Sequence, residues 1–255
     1  MSPSNGRAAL VTGAGSGIGR ACALRLAADG FAVALVGRDR ARLSAVADRI
    51  ADAGGRAAAY TADVSDADAV RAAVAAATAE LGAPHVVVAN AGIAESAKFT
   101  DITPEMWRRT FDVNVTGAFL AVQACLPPML AAKTGRVVVI GSTASVQGFP
   151  WVVHYTASKH AVLGMVRALA LEVAARGVTV NCVCPGYVDT ELTQRSVDQI
   201  VRTTGRTPQD ARRALESASP QKRLMTPDEV AETVSWLCGD AAAGVNGQAI
   251  VVNGG

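Results

Sequence analysis

Tyr155 and Lys159 stand four residues apart in Tyr155-Thr156-Ala157-Ser158-Lys159, a stretch that reads as helix. Residues i and i+4 share a helix face, so the phenol and the ammonium project together. A phenol holds its proton too tightly to act as an acid–base group at neutral pH. An adjacent ammonium stabilises the phenolate and brings that proton within reach. The spacing alone also describes an aromatic residue beside an exposed lysine. A third polar group is Ser142, which closes the apolar run Arg136-Val137-Val138-Val139-Ile140-Gly141-Ser142. Ligands of open parallel sheets bind outside the carboxyl ends of the strands, so its hydroxyl is placed to hydrogen-bond a carbonyl oxygen, or else to form a turn.

Near the N-terminus, a β-branched run leads into Thr12-Gly13-Ala14-Gly15-Ser16-Gly17-Ile18-Gly19. A glycine-rich strand-to-helix turn lets backbone N–H groups approach a pyrophosphate, and the helix N-terminus behind it adds partial positive charge. The common dinucleotide spacing G-x-G-x-x-G fails at Ile18; what fits is T-G-x-x-x-G-x-G. Alone, such a turn can also be a tight loop without a ligand.

The elements that must position these groups alternate along the chain. Strand-like runs fall at 7–12, 31–37, 57–61, 86–89, 136–140, 178–183 and 249–252. Helical stretches fall at 17–29, 41–53, 66–81, 104–130 and 155–175, with Pro127-Pro128 expected to break the end of the fourth. Continuous apolar strands between helices predict a parallel sheet covered on both faces, hence an α/β, doubly wound, Rossmann-like three-layer fold. Neither repeat nor linker interrupts it, so 1–255 reads as one domain. Residues 190–223 are polar, charged and free of strand-like runs, and read as an insertion over the sheet edge.

Taken in order, these motifs resemble the short-chain dehydrogenase/reductase family, in the form whose whole chain is one domain. Asp112-Val113-Asn114-Val115-Thr116-Gly117 resembles the family's helix carrying a fourth catalytic residue, Asn114, which there holds a water relaying protons to the lysine. The resemblance implies a catalytic set of Asn114, Ser142, Tyr155 and Lys159. Asn90-Ala91-Gly92, behind Ala89, resembles the family's N-N-A-G and would shape the floor under the cofactor. Asp63-Val64 would meet the adenine, with a helix N-terminal role for Asp63 as the rival. Cys184-Pro185-Gly186-Tyr187-Val188-Asp189-Thr190 resembles the segment that holds the nicotinamide carboxamide, through the Val188 backbone and the Thr190 hydroxyl; the same letters also make a plain Pro-Gly turn.

The second strand ends Leu35-Val36-Gly37-Arg38-Asp39-Arg40. Gly37 stands where the family places its NAD-selecting acid, and Arg38 follows as a candidate clamp for the 2′-phosphate of NADP. The alternative is a solvated loop arginine. Ser16 occupies a place where many NADP-dependent members carry a second basic residue. NADP(H) is therefore the expected cofactor, with NAD(H) possible. The implied reaction interconverts a ketone and a secondary alcohol. Tyr155 gives its proton to the developing alkoxide and Ser142 hydrogen-bonds the same oxygen, while Lys159 binds the nicotinamide ribose and lowers the phenol's proton affinity.

The segment from Ser142 to Thr190 also resembles reductases of 3-oxoacyl thioesters and polyketides. Candidate substrate contacts are Ala94, Ala144, Gln147, Trp151, Val152 and His154; the apolar ones among them cannot pair with a carboxylate, which favours a less polar ketone or an acyl thioester, and Gln147 or His154 could fix a substrate oxygen. The 190–223 segment is a candidate lid, and its basic excess suits either a phosphate-bearing acyl carrier or a solvated helical face. A secondary-alcohol dehydrogenase is the second reading. A non-catalytic dinucleotide scaffold or a methyltransferase is the reading from another class.

Composition narrows the partners. A net charge of +2, from 24 basic and 22 acidic side chains, gives no broad field for nucleic acid, and 4% aromatic content gives few stacking platforms. The opening Met1-Ser2-Pro3-Ser4-Asn5-Gly6 is polar, and no stretch is expected to supply the ~18 apolar residues that span a bilayer, so a cytoplasmic protein is expected. Cys22, Cys125, Cys182, Cys184 and Cys238 read as reduced, buried thiols in preference to disulfides or metal ligands, with the 182/184 pair on one strand face. His85, His154 and His160 lack ligand spacing, so no metal is expected. Family members are commonly tetramers that pair the helices holding Asn114 and Tyr155 and join their C-terminal strands, which makes a homotetramer the expectation.

Overall fold

A computed structural model describes residues 7–255. The polar opening 1–6 lies outside the described residues. Seven strands, β1 (Ala8–Thr12), β2 (Ala32–Gly37), β3 (Arg56–Thr61), β4 (Pro84–Ala89), β5 (Gly135–Ile140), β6 (Val178–Pro185) and β7 (Ala249–Val252), form one parallel sheet in the order β3-β2-β1-β4-β5-β6-β7. The strands are apolar without alternation because both sheet faces are covered, and successive side chains enter different cores. Leu10, Val87, Val137 and Val139 enter one, together with α3 (Ala67–Leu81), α5 (Gly117–Ala132) and α6 (Val153–Val173). Val11, Val86, Val88 and Val138 enter the other, with α1 (Gly17–Ala28), α2 (Arg40–Asp52) and α9 (Pro227–Cys238).

Strand order reverses between β1 and β4, which opens a crevice at their carboxyl ends. Val11 pairs with Leu35 on one side and Val88 on the other, so the glycine turn after β1 emerges beside the loop after β4.

Three local features depart from the sequence expectation. First, α4 (Pro104–Phe111) and α5 are joined by a π-helical turn, Asp112–Thr116, instead of running as one α-helix. Second, α5 continues through Pro127 and Pro128 to Ala132. The two missing N–H groups fall near the helix end, and packing of Cys125 and Met129 into the core holds the turn despite them. Lys133, in the left-handed region at φ 51°, stops it. Third, Pro104–Ala132 is long and apolar enough to cross a bilayer by length and composition, which corrects the expectation that no stretch would be. Its apolar excess arises because one face of α5 packs on α3, β4 and β5 while Phe119 on another is exposed.

Residues 190–223 fold into α7 (Glu191–Thr204) and α8 (Pro208–Ala218). A bridge between Val188 and Met225 closes the base of this excursion, and Val197, Ala211, Leu215 and Leu224 give it a small apolar cluster of its own. The helix α9 escaped the sequence reading although its signal was present. Thr226-Pro227-Asp228-Glu229 is a capping box with proline at the first turn: Thr226 Oγ1 accepts from Glu229 N, and Glu229 Oε2 accepts from Thr226 N at 2.7 Å. Replacing Thr226→Ala removes that cap while leaving the site untouched. The expected loss is ~1 kcal/mol, read as a melting temperature about 2–4 °C lower in a thermal scan, with cofactor affinity unchanged.

Candidate active site

The site begins at the junction of the β1 and β4 ends. Thr12 is buried, and its Oγ1 accepts from both Asn90 N and Ala91 N at 3.0 Å. Asn90 Nδ2 returns a hydrogen bond to Thr12 O at 2.9 Å. This exchange fixes the glycine turn against Asn90-Ala91-Gly92. Within the turn, Gly13 adopts φ +65° and Gly17 φ +50°, a region that side chains disfavour. Gly19 is required for a different reason: a Cβ there would lie 2.3 Å from Gly13 O. Ser16 is the N-cap residue of α1, and its side chain makes no capping bond.

A cleft of about 440 Å³ runs from this turn to the catalytic residues. Gly13, Gly15, Ser16, Gly17 and Ile18 line it at one end, with Arg38, Asp63, Val64, Asn90, Ala91 and Gly92 along it. Pro185, Gly186, Val188 and Thr190 form a further wall, and Ser142, Tyr155 and Lys159 the far end. The volume lies within the usual range for a cofactor pocket, and glycine backbone meets a helix N-terminus where a pyrophosphate needs both. These residues therefore fit a nicotinamide dinucleotide.

Charges along the cleft are arranged unevenly. Asp39 is occupied: its carboxylate accepts from Arg42 N at 3.1 Å as the N-cap of α2 and pairs with Arg42 Nε at 3.3 Å. Arg42 also grips Glu191 of α7 through two contacts of 2.7 and 2.8 Å, which ties α2 to α7 across the cleft. Arg38 forms no salt bridge among the described residues, so its guanidinium remains available. Asp63 does not cap α3, since Asp66 does that; Asp63 instead accepts from Ser65 N and Oγ, and these bonds hold its carboxyl below the ordinary carboxylate value. The Thr190 hydroxyl caps α7, accepting from Thr193 N at 3.4 Å.

At the far end the four catalytic candidates come together. Ser142 Oγ accepts from Ala144 N at 3.1 Å, and Ser142 lines the cleft together with Tyr155. Burial pushes the Tyr155 phenol above its ordinary value, opposed by the nearby Ser142 hydroxyl. Lys159 Nζ lies 5.7 Å from the centre of the Tyr155 ring and donates to Ile140 O at 2.8 Å. Burial brings its ammonium down to about 8. Asn114 sits buried in the π-helical turn. Its amide accepts from Ile93 N at 2.8 Å and donates to Ile93 O at 2.9 Å and Ser158 Oγ at 3.0 Å, so it clamps the loop after β4 to α6 one residue from Lys159. A helix that opens by one residue re-aims the side chain it carries, and such turns recur at functional sites.

The six substrate candidates lie apart from this cleft. Ala144 is buried in the turn 143–145; Ala94 and Val152 are half-buried; Gln147 is exposed. Trp151 is 63% exposed, in the left-handed region at φ 64°, with its carbonyl accepting from Ala97 N. His154 is fully buried and neither ring nitrogen finds a partner. Lining residues that the sequence reading did not assign to the site include Arg42, Ile93, Val113, Glu191, Leu192 and Arg195. Ile93 directly follows Asn90-Ala91-Gly92 and Val113 directly precedes Asn114, so their position beside a motif was the available signal.

Comparisons with known proteins agree with this geometry. A family model described as short chain dehydrogenase matches residues 7–200. The chain is similar to the 3-oxoacyl-[acyl-carrier-protein] reductase of Staphylococcus aureus, at 33% identity over 98% of this chain and 97% of the relative. It is also similar to cyclohexanol dehydrogenase from an Acinetobacter species, at 36% identity over 98% and 94% of the two chains. Among solved structures, a variant of the actinorhodin polyketide ketoreductase with NADPH superposes with a TM-score of 0.95, at 37% identity over 98% of this chain and 96% of that one. The chain belongs to the short-chain dehydrogenase family and is an NAD(P)-dependent oxidoreductase that interconverts ketones and secondary alcohols.

Proposed function

We propose that this enzyme uses NADP(H) to reduce a 3-oxoacyl thioester or a similarly masked ketone. The observation that carries the reading is that Ser142, Tyr155 and Lys159 line the same cleft, of dinucleotide size, as the glycine turn. The bound cofactor supplies or accepts the hydride. The protein does the rest. Ser142 and Tyr155 present two hydroxyls to one substrate oxygen, and Tyr155 passes its proton to that oxygen as charge develops on it. Lys159, anchored on Ile140 O, places a positive charge beneath the phenol ring and favours the phenolate that remains. Asn114 holds the Ile93 loop and Ser158 in place around them.

Arg38, free of salt bridges beside a glycine at 37, supports NADP(H) over NAD(H). The thioester reading rests on the S. aureus and actinorhodin relatives. The cyclohexanol dehydrogenase likeness favours the second reading, oxidation of an apolar secondary alcohol. The excursion of α7 and α8, hinged at the Val188–Met225 bridge, serves as the lid over the substrate. Part of its basic excess is paired: Arg212 with Asp189 and Glu216, Arg213 with Asp210, and Arg223 with Glu229, while Arg195, Arg202, Arg206 and Lys222 form no salt bridge among the described residues. Phe119 on α5, Leu171 on α6 at 83% exposure, and Val251 on β7 are apolar and uncovered, which supports a homotetramer built on those two faces.

Three measurements test these points. Tyr155→Phe is expected to bind NADPH within about twofold of the parent and to lose ~10²–10⁴ in kcat; turnover at the parent rate contradicts the assignment. Arg38→Ala removes charge-assisted bonds of about 1.5–3 kcal/mol, so its Kd for NADPH rises roughly 10- to 100-fold while that for NADH stays level. Sedimentation equilibrium is expected to give four times the 26.0 kDa chain mass, and a monomer would refute the assembly.

A further inference from the structure

The glycine turn is flanked by two residues that lead to one ion pair. A Cβ at Gly15 would lie 3.0 Å from the Cβ of Arg42, in the first turn of α2. A Cβ at Gly17 would lie 3.1 Å from Cγ2 of Thr190, the N-cap residue of α7. Glu191 follows Thr190 directly, and its two carboxylate oxygens accept from Arg42 Nη1 at 2.7 and 2.8 Å. The pair therefore spans the cleft at the level of the glycine turn, and both of its side chains line that cleft.

This pair is a poor permanent strut. The Arg42 side chain is 50% exposed and that of Glu191 53%. Ion pairs exposed to that extent contribute little, because water and salt screen them. A phosphate monoester carries about two negative charges at neutral pH. It also matches the fork of a guanidinium, so it outcompetes a single carboxylate for an arginine.

Each partner also has another contact to rely on. Arg42 Nε pairs with Asp39 at 3.3 Å, which keeps the guanidinium beside Gly15 when Glu191 leaves. Glu191 has Arg195 four residues on along α7, and that spacing places acid and base on one helix face. Arg195 lines the same cleft and forms no salt bridge among the described residues. Arg42 holds the Glu191 carboxyl below its ordinary value, and Arg195 adds to the effect. The place itself suits a ribose phosphate. The first turn of α2 follows Gly37 and Arg38 at the end of β2, and Ser16, between the two glycines, brings no positive charge there.

We propose that Arg42 is a second cation for the 2′-phosphate of the cofactor, and that Glu191 occupies it until the cofactor arrives. Binding exchanges one anion for another. The phosphate takes Arg42, Glu191 turns to Arg195, and the tie between α2 and the α7 lid is released. NAD(H) has no 2′-phosphate with which to make the exchange, so the pair adds to the selection made at Arg38. The inference rests on the reading of this protein as an NADP(H) enzyme.

The test is a set of equilibrium titrations of the full-length protein, followed by fluorescence for NADPH and NADH and by calorimetry for adenosine 2′,5′-bisphosphate and 5′-AMP. None of them requires turnover. The two substitutions are expected to act in opposite directions. Arg42→Ala raises the Kd of NADPH and of the bisphosphate about tenfold, and leaves NADH and 5′-AMP level. Glu191→Gln removes the competing carboxylate and lowers the Kd of the same two ligands by about two- to fivefold. Arg42→Gln repeats the alanine result while keeping a polar stem on α2, and NADH binding by each variant reports that its glycine turn is intact. A pair that closes over any bound dinucleotide would make both substitutions weaken both cofactors alike. That result overturns the proposal, as does a bisphosphate affinity that Arg42→Ala leaves unchanged. A parent that binds NADH as tightly as NADPH would refute the NADP(H) reading and this inference with it. Selectivity lost in Arg38→Ala but kept in Arg42→Ala would overturn this inference alone.

Discussion

The crevice between the ends of β1 and β4 exists because the strand order reverses there, and it keeps its shape because Thr12 and Asn90 are locked together. One hydroxyl accepting two backbone N–H groups, answered by a side-chain amide on a backbone carbonyl, joins two loops that are 78 residues apart. Both ends of the cleft are referred to this joint. The glycine turn hangs from one side of it. On the other side the chain proceeds through Gly92 to Ile93, whose N–H and carbonyl are both held by Asn114, and Asn114 in turn reaches Ser158, the neighbour of Lys159. A continuous set of hydrogen bonds thus relates the place where a pyrophosphate would rest to the place where a proton moves.

Burial works against the chemistry at that far end. It raises the Tyr155 phenol and lowers the Lys159 ammonium, so each group is driven towards its neutral form. The reaction needs the lysine charged. The groups that oppose burial are small and specific: the Ser142 hydroxyl near the phenol, and the Cys182 and Cys184 sulfurs near the ammonium. The same low-dielectric surroundings that make bare charges costly make these few interactions strong.

Much of this was legible in the sequence because it rests on local spacing. The apolar runs gave the parallel sheet, Tyr155 and Lys159 the shared helix face, and Gly13, Gly17 and Gly19 the turn. What stayed illegible depends on partners distant in the chain. No local pattern announces that Asn114 lies in a π-helical turn, since its letters read as ordinary helix. Nor does the Pro127-Pro128 pair reveal that tertiary packing around Cys125 and Met129 overrides it. Adjacency in sequence does not decide which side chains share a site: His154 precedes Tyr155 but is fully buried and does not line the cleft that Tyr155 lines. The α9 helix is different in kind, because its capping box was fully written in residues 226–229 and was overlooked.

The central claim is direct hydride transfer between a nicotinamide and a ketone carbon at the Ser142–Tyr155 end of the cleft. It is tested most directly by incubating the enzyme with a 3-oxoacyl thioester and NADPH deuterated at the nicotinamide C4 position on both faces, then locating the label in the product by mass spectrometry and NMR. The account predicts one deuterium per molecule, at the new carbinol carbon, and none at that carbon when unlabelled NADPH is used in D₂O. An alcohol lacking deuterium at that carbon, or one that acquires it from solvent, would contradict direct transfer from the nicotinamide.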